Sequence, residues 1–218
     1  GNLLTCNFQQ RFVTTPVQNQ PYSSGFLDCI LSMPNASSGG SITFGGTTIR
    51  HAYCEKVEIK TIGNATNMFR MFQFCYSLQS LPLFNTSNVT SMQSMFEGCY
   101  SLQSVPLFNT INVTNMMYVF SSCISLQSVP LFNTENVTNM TSIFAFCYSL
   151  QSVPLFNTTN VINMLNMFFN CYSLQSVPLF NTPNVTSMAN MFFYCYSLQS
   201  VPLFNTINVI NMSSMFNN

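Results

Sequence analysis

Two hundred and eighteen residues suffice for one large domain or an array of repeats. Charged residues make up 5% of the chain, five basic against five acidic, which excludes an electrostatic nucleic-acid binder and a polybasic membrane-surface segment. Hydrophobic residues at 47% argue against disorder, and polar residues interrupt every apolar stretch before it reaches the roughly 18 that a membrane-inserted helix needs.

The chain begins at Gly1 with no visible signal peptide, so it reads as a processed product or a piece of something longer. Residues 1–53 do not repeat. Pro16, Pro21 and Pro34, the Ser-Ser-Gly-Gly run at 37–40 and Gly45-Gly46 punctuate short apolar runs such as Phe26–Met33 and Ser41–Phe44. The reading is a small, mostly β or irregular segment, serving as a cap over the first repeat or as an attachment to another subunit. Most of the charge lies here and at the junction: Arg11, Asp28, Arg50, Glu55, Lys56, Glu58, Lys60 and Arg70. Such residues protect an edge from pairing.

From residue 54 the chain is an array. SLQSVPLFNT occurs at 101–110, 125–134, 149–158, 173–182 and 197–206, and as SLQSLPLFNT at 77–86. The period is 24 residues, marked by Cys75, Cys99, Cys123, Cys147, Cys171 and Cys195. Val57 to Lys60 align with Leu81 to Phe84, so a degenerate first copy starts near Cys54 and residues 54–218 hold seven units, the last truncated.

Within a unit, Ser104 to Leu107 alternates, placing Val105 and Leu107 on one face and Ser104 and Pro106 on the other. A recurring proline removes a ladder bond, so only a short, under-bonded strand of two to four residues is expected. After it, Met116, Val119, Phe120 and Cys123 fall on one side of a helix counted from Val113, with Asn112 as its cap. Such units cannot bury their apolar side alone. The expectation is an α/β solenoid, a right-handed, curved leucine-rich-repeat-like array with strands inside the bend. Strands stack at about 4.8 Å and helices at about 8–10 Å, and that mismatch would bend it.

The motif Asn-Val-Thr-x-Met-x-x-Met-Phe-x-x-Cys-x-Ser-Leu, as at 88–102, resembles the BspA-like leucine-rich-repeat family, over about residues 54–218. The connection from Leu107 to Val113 is shorter than that family often carries. The resemblance implies a bacterial surface protein or a phage tail-fibre protein, exposed and adhesive, and carries no catalytic residues with it.

Candidate sites follow from the rows. The uniform strand face, with Ser104, Pro106, Ser128, Pro130, Ser152 and Pro154, suits a periodic partner such as a polysaccharide or another copy of the fibre. On the helix side stand Phe146, Phe169, Phe193 and Tyr194, which read as an association surface. The Phe84 to Phe204 row packs at the coil corner, with an aromatic platform for sugars as the other reading. Asn64, Asn88, Asn112, Asn136 and Asn184 stand in N-x-T sequons; helix capping explains them, and glycosylation is the alternative for a secreted eukaryotic protein. Asn160 and Asn208 lack the Thr, which favours capping.

The six-cysteine row reads as buried thiols, while Cys6, Cys29 and Cys54 lie where a bridge would staple a small cap. His51 is the sole histidine, Glu55 and Glu58 sit beside Lys56 and Lys60, and no phosphate loop or Cys-x-x-Cys metal pair occurs. No enzyme, cofactor, metal, nucleic-acid partner or membrane insertion is expected. The expected function is extracellular adhesion or receptor binding at a cell surface or virion tail, towards a polysaccharide or a cell-surface receptor. The alternative is a self-assembling fibril subunit. The uncovered Met212, Met215 and Phe216 suggest further coils or end-to-end association.

Overall fold

The structure, a computed structural model, describes residues 5–10, 26–32 and 56–217. Three strands form one sheet in the order β1-β2-β3: β1 at Thr5–Gln10, β2 at Phe26–Ser32 and β3 at Lys56–Thr61. β1 pairs antiparallel with β2, and β2 pairs parallel with β3, Cys29 opposite Val57 and Ile30 opposite Glu58. β2 thus lies beside the first coil. Cys6 stands opposite Leu31, and Cys29 opposite Phe8. Ser41–Phe44, His51 and Cys54 lie outside the described residues.

Beyond β3 the chain winds into stacked coils of one 24-residue unit each. Single parallel bridges run Asn67, Ser91, Asn115, Asn139, Asn163, Ser187 and Asn211. The solenoid is as expected, but its second element is not a helix. Among the described residues there is no helix at all. Met116 to Leu126 is a train of turns: Val119 N–H donates to Met116 O, Ser121 to Tyr118, Cys123 to Phe120 and Leu126 to Cys123. The intervening amides leave the coil. Met116 donates to Asn139 O, Tyr118 to Thr141, Phe120 to Ile143 and Ser122 to Ala145, at 2.7 to 3.1 Å.

The physical reason is the stacking distance. A helix keeps its hydrogen bonds to itself and holds neighbours about 8–10 Å away, whereas a flat train of turns satisfies half its amides on the next coil. The whole coil then stacks at a strand-like spacing. The mismatch that was to curve the array loses its premise with the helices.

Asn112 correspondingly caps no helix; its Nδ2 donates to Ser87 O of the preceding coil at 2.7 Å. Asn115 accepts the Met117 amide on Oδ1 at 3.0 Å, a local turn that opens the train. Two left-handed residues per coil, four apart, turn the chain: Tyr118 (φ 59°) and Ser122 (φ 61°) in one, Asn166 (φ 55°) and Asn170 (φ 60°) in another. The second such position in the coil above is Gly98 (φ 75°), where an added Cβ would lie 2.5 Å from the Phe74 ring.

The extended half also departs from the expected register. Val105 is buried, but Leu107 is 58% exposed, and Phe108 takes the inward place. The Phe108 amide donates to Pro106 O at 2.9 Å, and the same bond recurs at Phe132, Phe156 and Phe180. This three-residue turn about Leu107 interrupts the alternation, so the inward side chain comes one residue late. The short strand expected here does not form: Ser104 to Leu107 carries no strand pairing, and no backbone bond there joins neighbouring coils.

The core is a column of rings and thioethers. Phe72, Phe96, Phe120, Phe144, Phe168 and Phe192 stack with centroids 5.7 Å apart and planes within 9°. The second phenylalanine of each unit packs against this column, Phe108 on Phe96 at 6.1 Å and Phe132 on Phe120 at 6.2 Å. Rings recur every 12 residues, and the Phe84-to-Phe180 corner row is core and offers no sugar platform. Each fully buried Phe contributes roughly 1.5–3 kcal/mol by area, plus about 0.5–1.5 kcal/mol per ring pair.

Candidate functional site

The helix-side residues expected to associate are brought together, on the turn train instead of a helix. Phe146 meets Phe169 edge-on at 5.3 Å, Phe169 stacks on Phe193 at 5.0 Å, and Phe193 touches Tyr194 at 4.2 Å. All four are half-buried. Tyr148, Tyr172 and Tyr196 extend the cluster: Tyr148 and Tyr172 stack at 4.6 Å, Tyr172 and Tyr196 lie 5.4 Å apart, and Tyr194 stacks on Tyr196 at 5.5 Å. Burial, then the neighbouring Tyr172 hydroxyl, pushes the Tyr148 phenol up.

Phe146 (φ 62°) and Tyr194 (φ 57°) occupy the left-handed position that other coils give to Gly98, Ser122 or Asn170. A bulky side chain there costs roughly 1–2 kcal/mol. Phe74 (φ 62°) holds a ring at the same position in an earlier coil, and at all three places the ring meets the tyrosine two residues on, Phe74 with Tyr76, Phe146 with Tyr148 and Tyr194 with Tyr196.

The tyrosines were missed by sequence reasoning. The signal was present, because a tyrosine follows the marker cysteine at Tyr76, Tyr100, Tyr148, Tyr172 and Tyr196, with Ile124 as the exception. Tyr76 and Tyr100 form a second exposed stack at 4.7 Å.

On the extended face, Ser104, Ser128 and Ser152 are exposed and Pro106, Pro130 and Pro154 half-exposed. Between the coil's extended strip and its corner runs the misread leucine row, Leu83, Leu107, Leu131, Leu155 and Leu179, at 58 to 65% exposure. The face is therefore more apolar than the sequence reading supposed.

The sequon asparagines Asn88, Asn112, Asn136 and Asn184 are exposed. Asn136 and Asn184 donate to the preceding coil like Asn112, and Asn160 and Asn208, which lack the sequon, do the same at 2.7 and 2.6 Å. Bracing between coils thus accounts for the row from Asn112 to Asn208, with or without the Thr of a sequon.

The cysteines form a buried ladder of free thiols. From Cys99 onward each Sγ donates back to a phenylalanine carbonyl 27 residues earlier, Cys99 to Phe72 and Cys123 to Phe96, at 3.1 and 3.2 Å. Burial pushes the thiols of Cys123, Cys147 and Cys171 far up, and that of Cys195 up to about 12. Thiols held protonated are poor nucleophiles and poor metal ligands. Among the described residues no three His, Cys, Asp or Glu gather to hold a metal, and no helix is long and apolar enough to cross a membrane.

A family described as "Mycoplasma protein of unknown function, DUF285" matches residues 66–177 and 149–218. Two solved structures are similar. A leucine-rich repeat protein of T. pallidum aligns with TM-score 0.49 at 19% identity, over 89% of this chain and 78% of its own. A leucine-rich repeat protein from Bacteroides ovatus aligns with TM-score 0.34 at 15% identity, over 96% and 77%. No curated protein matches the chain.

Proposed function

The chain belongs to the DUF285 family, matched across most of its repeat array, and we propose that it is a non-enzymatic adhesion or receptor-binding protein whose contact surface is the aromatic edge of the last coils. One observation carries this reading. Phe146 and Tyr194 hold bulky rings at left-handed positions that Gly or Asn would occupy at less cost. Strain retained at a half-buried surface site points to function, and here it completes a patch of seven rings. The resemblance to BspA-like arrays supports display at a cell surface or virion tail, facing a receptor or polysaccharide. The N-terminal sheet, joined to the array through β2 and β3, serves in this reading as the cap of the first coil.

Replacing Phe146 and Tyr194 by Gly tests it. The pair of substitutions relieves two strained residues, so the melting temperature holds or rises. Attachment of protein-coated beads to a cell monolayer falls. Unchanged attachment removes the aromatic edge from the function.

A fibril subunit is favoured by a separate observation. From residue 71 onward Glu97 and Glu135 are the only charged residues, so copies packed side by side repel one another little. In that case the same double variant lowers the sedimentation coefficient of the wild-type assembly.

A further inference from the structure

A second surface shares no residue with the aromatic cluster. In four coils the Asn and Thr of an N-V-T triplet point outward on either side of a buried valine, as Asn112 and Thr114 flank Val113. Stacked, they make two parallel rails, about 6.6 Å apart across two extended residues and with rungs about 4.8 Å apart. Between the rails the surface sinks into troughs. One, of about 570 Å³, is lined by Asn136, Thr138, Asn160, Ile162 and Asn184. Another, of about 370 Å³, follows the same rails from Asn64 to Asn112. No charged residue lines either.

The rails have a fixed hydrogen-bond polarity. Asn112, Asn136, Asn160 and Asn184 spend one Nδ2 proton on a carbonyl of the preceding coil, at 2.7 to 2.8 Å. Thr90, Thr114, Thr138 and Thr186 spend their only hydroxyl proton the same way, at 3.2 to 3.3 Å. Each complete rung is left with the lone pairs of Oδ1 and Oγ1 and one remaining amide N–H. The trough therefore asks for a ligand rich in donors, uncharged, and repeating along the stack. An anion would find too few donors. A divalent cation would find no carboxylate.

We propose that the trough binds a neutral linear polysaccharide lying along the coil stack, its hydroxyls donating to Asn Oδ1 and Thr Oγ1. The inference rests on the binding reading only in that the chain recognises something outside itself; it differs in the site. Ile162 and Ile210 break the Thr rail, and coils carrying them keep the asparagine brace, so Thr-to-Ile changes are compatible with the fold.

The test is calorimetric titration of residues 1–218 with cellohexaose, laminarihexaose, isomaltohexaose and chitohexaose. Binding of at least one is expected. Thr114→Ile with Thr138→Ile removes two acceptors and weakens it about ten-fold or more, while Ile162→Thr restores a rung and tightens it about five-fold. Thermal melts of each variant establish that the coils remain folded. No binding of any hexasaccharide at its solubility limit overturns the proposal. So does binding that ignores both rail changes but is lost on Phe146→Gly with Tyr194→Gly; that result places the sugar on the aromatic edge and leaves the binding reading standing.

Discussion

The two halves of each coil hold the stack together by different means. On the turn side, every second amide from Met116 to Ser122 reaches the next coil, so backbone hydrogen bonds join the units. On the extended side, between Ser104 and Leu107, no backbone bond crosses, and cohesion comes from buried Val105 and Phe108 and from side-chain ladders. Thr110 Oγ1 donates to Asn133 O at 2.7 Å and Thr134 Oγ1 to Asn157 O at 2.8 Å, standing in for the bonds that proline removes. The lesson is that a proline in every repeat is compatible with a solenoid when another segment carries the ladder.

The largest expected effect falls where the halves meet. Phe120 lies in the ring column against both Phe96 and Phe132, so Phe120→Ala should cost about 3–5 kcal/mol in a urea titration and loosen the adjoining coils. The thiol ladder comes next. The folded pKa values of Cys123, Cys147, Cys171 and Cys195 lie above the unfolded value of about 8.5. Below that value both states keep their protons and stability is unaffected by the row. Above it the unfolded chain ionises first, so stability falls as pH rises, by at most about 1.4 kcal/mol per pH unit for each thiol, until the folded thiols titrate. Melting temperatures between neutral and strongly alkaline pH show this decline, and a Cys147→Ala variant makes it shallower.

Thr134→Val tests the substitute ladder of the extended half, at about 1 kcal/mol of lost stability. Val119→Met is a smaller change in the opposite direction. Val119 lines a small cavity where the equivalent residue of five other coils is a buried methionine, Met71, Met95, Met167, Met191 and Met215, so filling it should gain about 0.5–1 kcal/mol. Leu107→Ala is smallest, within about 0.5 kcal/mol, because the side chain is exposed. A cost comparable to that of Phe120→Ala would restore Leu107 to the core and undo the distinction between the halves.

The repeat made the solenoid, its period and most of the core legible. Met116, Val119, Phe120 and Cys123 are all buried, as a helical count from Val113 predicts. The element was misread because overlapping four-residue turns, each closed by a bond three residues back, reproduce the three-and-four spacing of a helix, and periodicity alone does not distinguish them. What does distinguish them is where the amides go, which depends on the neighbouring coil. Leu107 was misplaced for a related reason: strict alternation assumes an uninterrupted strand, and the Pro106–Phe108 turn interrupts it. At the candidate site, Phe146, Phe169, Phe193 and Tyr194 were legible as one surface because they fall at the same place in adjacent units. The strain at two of them was not, since left-handed backbone at a Phe or Tyr has no sequence signature.

The turn ladder is what makes the stack a solenoid without helices. Scalar couplings across hydrogen bonds, measured by NMR on isotope-labelled protein, report which carbonyl each amide faces. The Phe120 amide nitrogen should couple to the carbonyl carbon of Ile143 in the next coil. Coupling instead to Met116, four residues back in the same coil, would make the segment a helix and contradict the account.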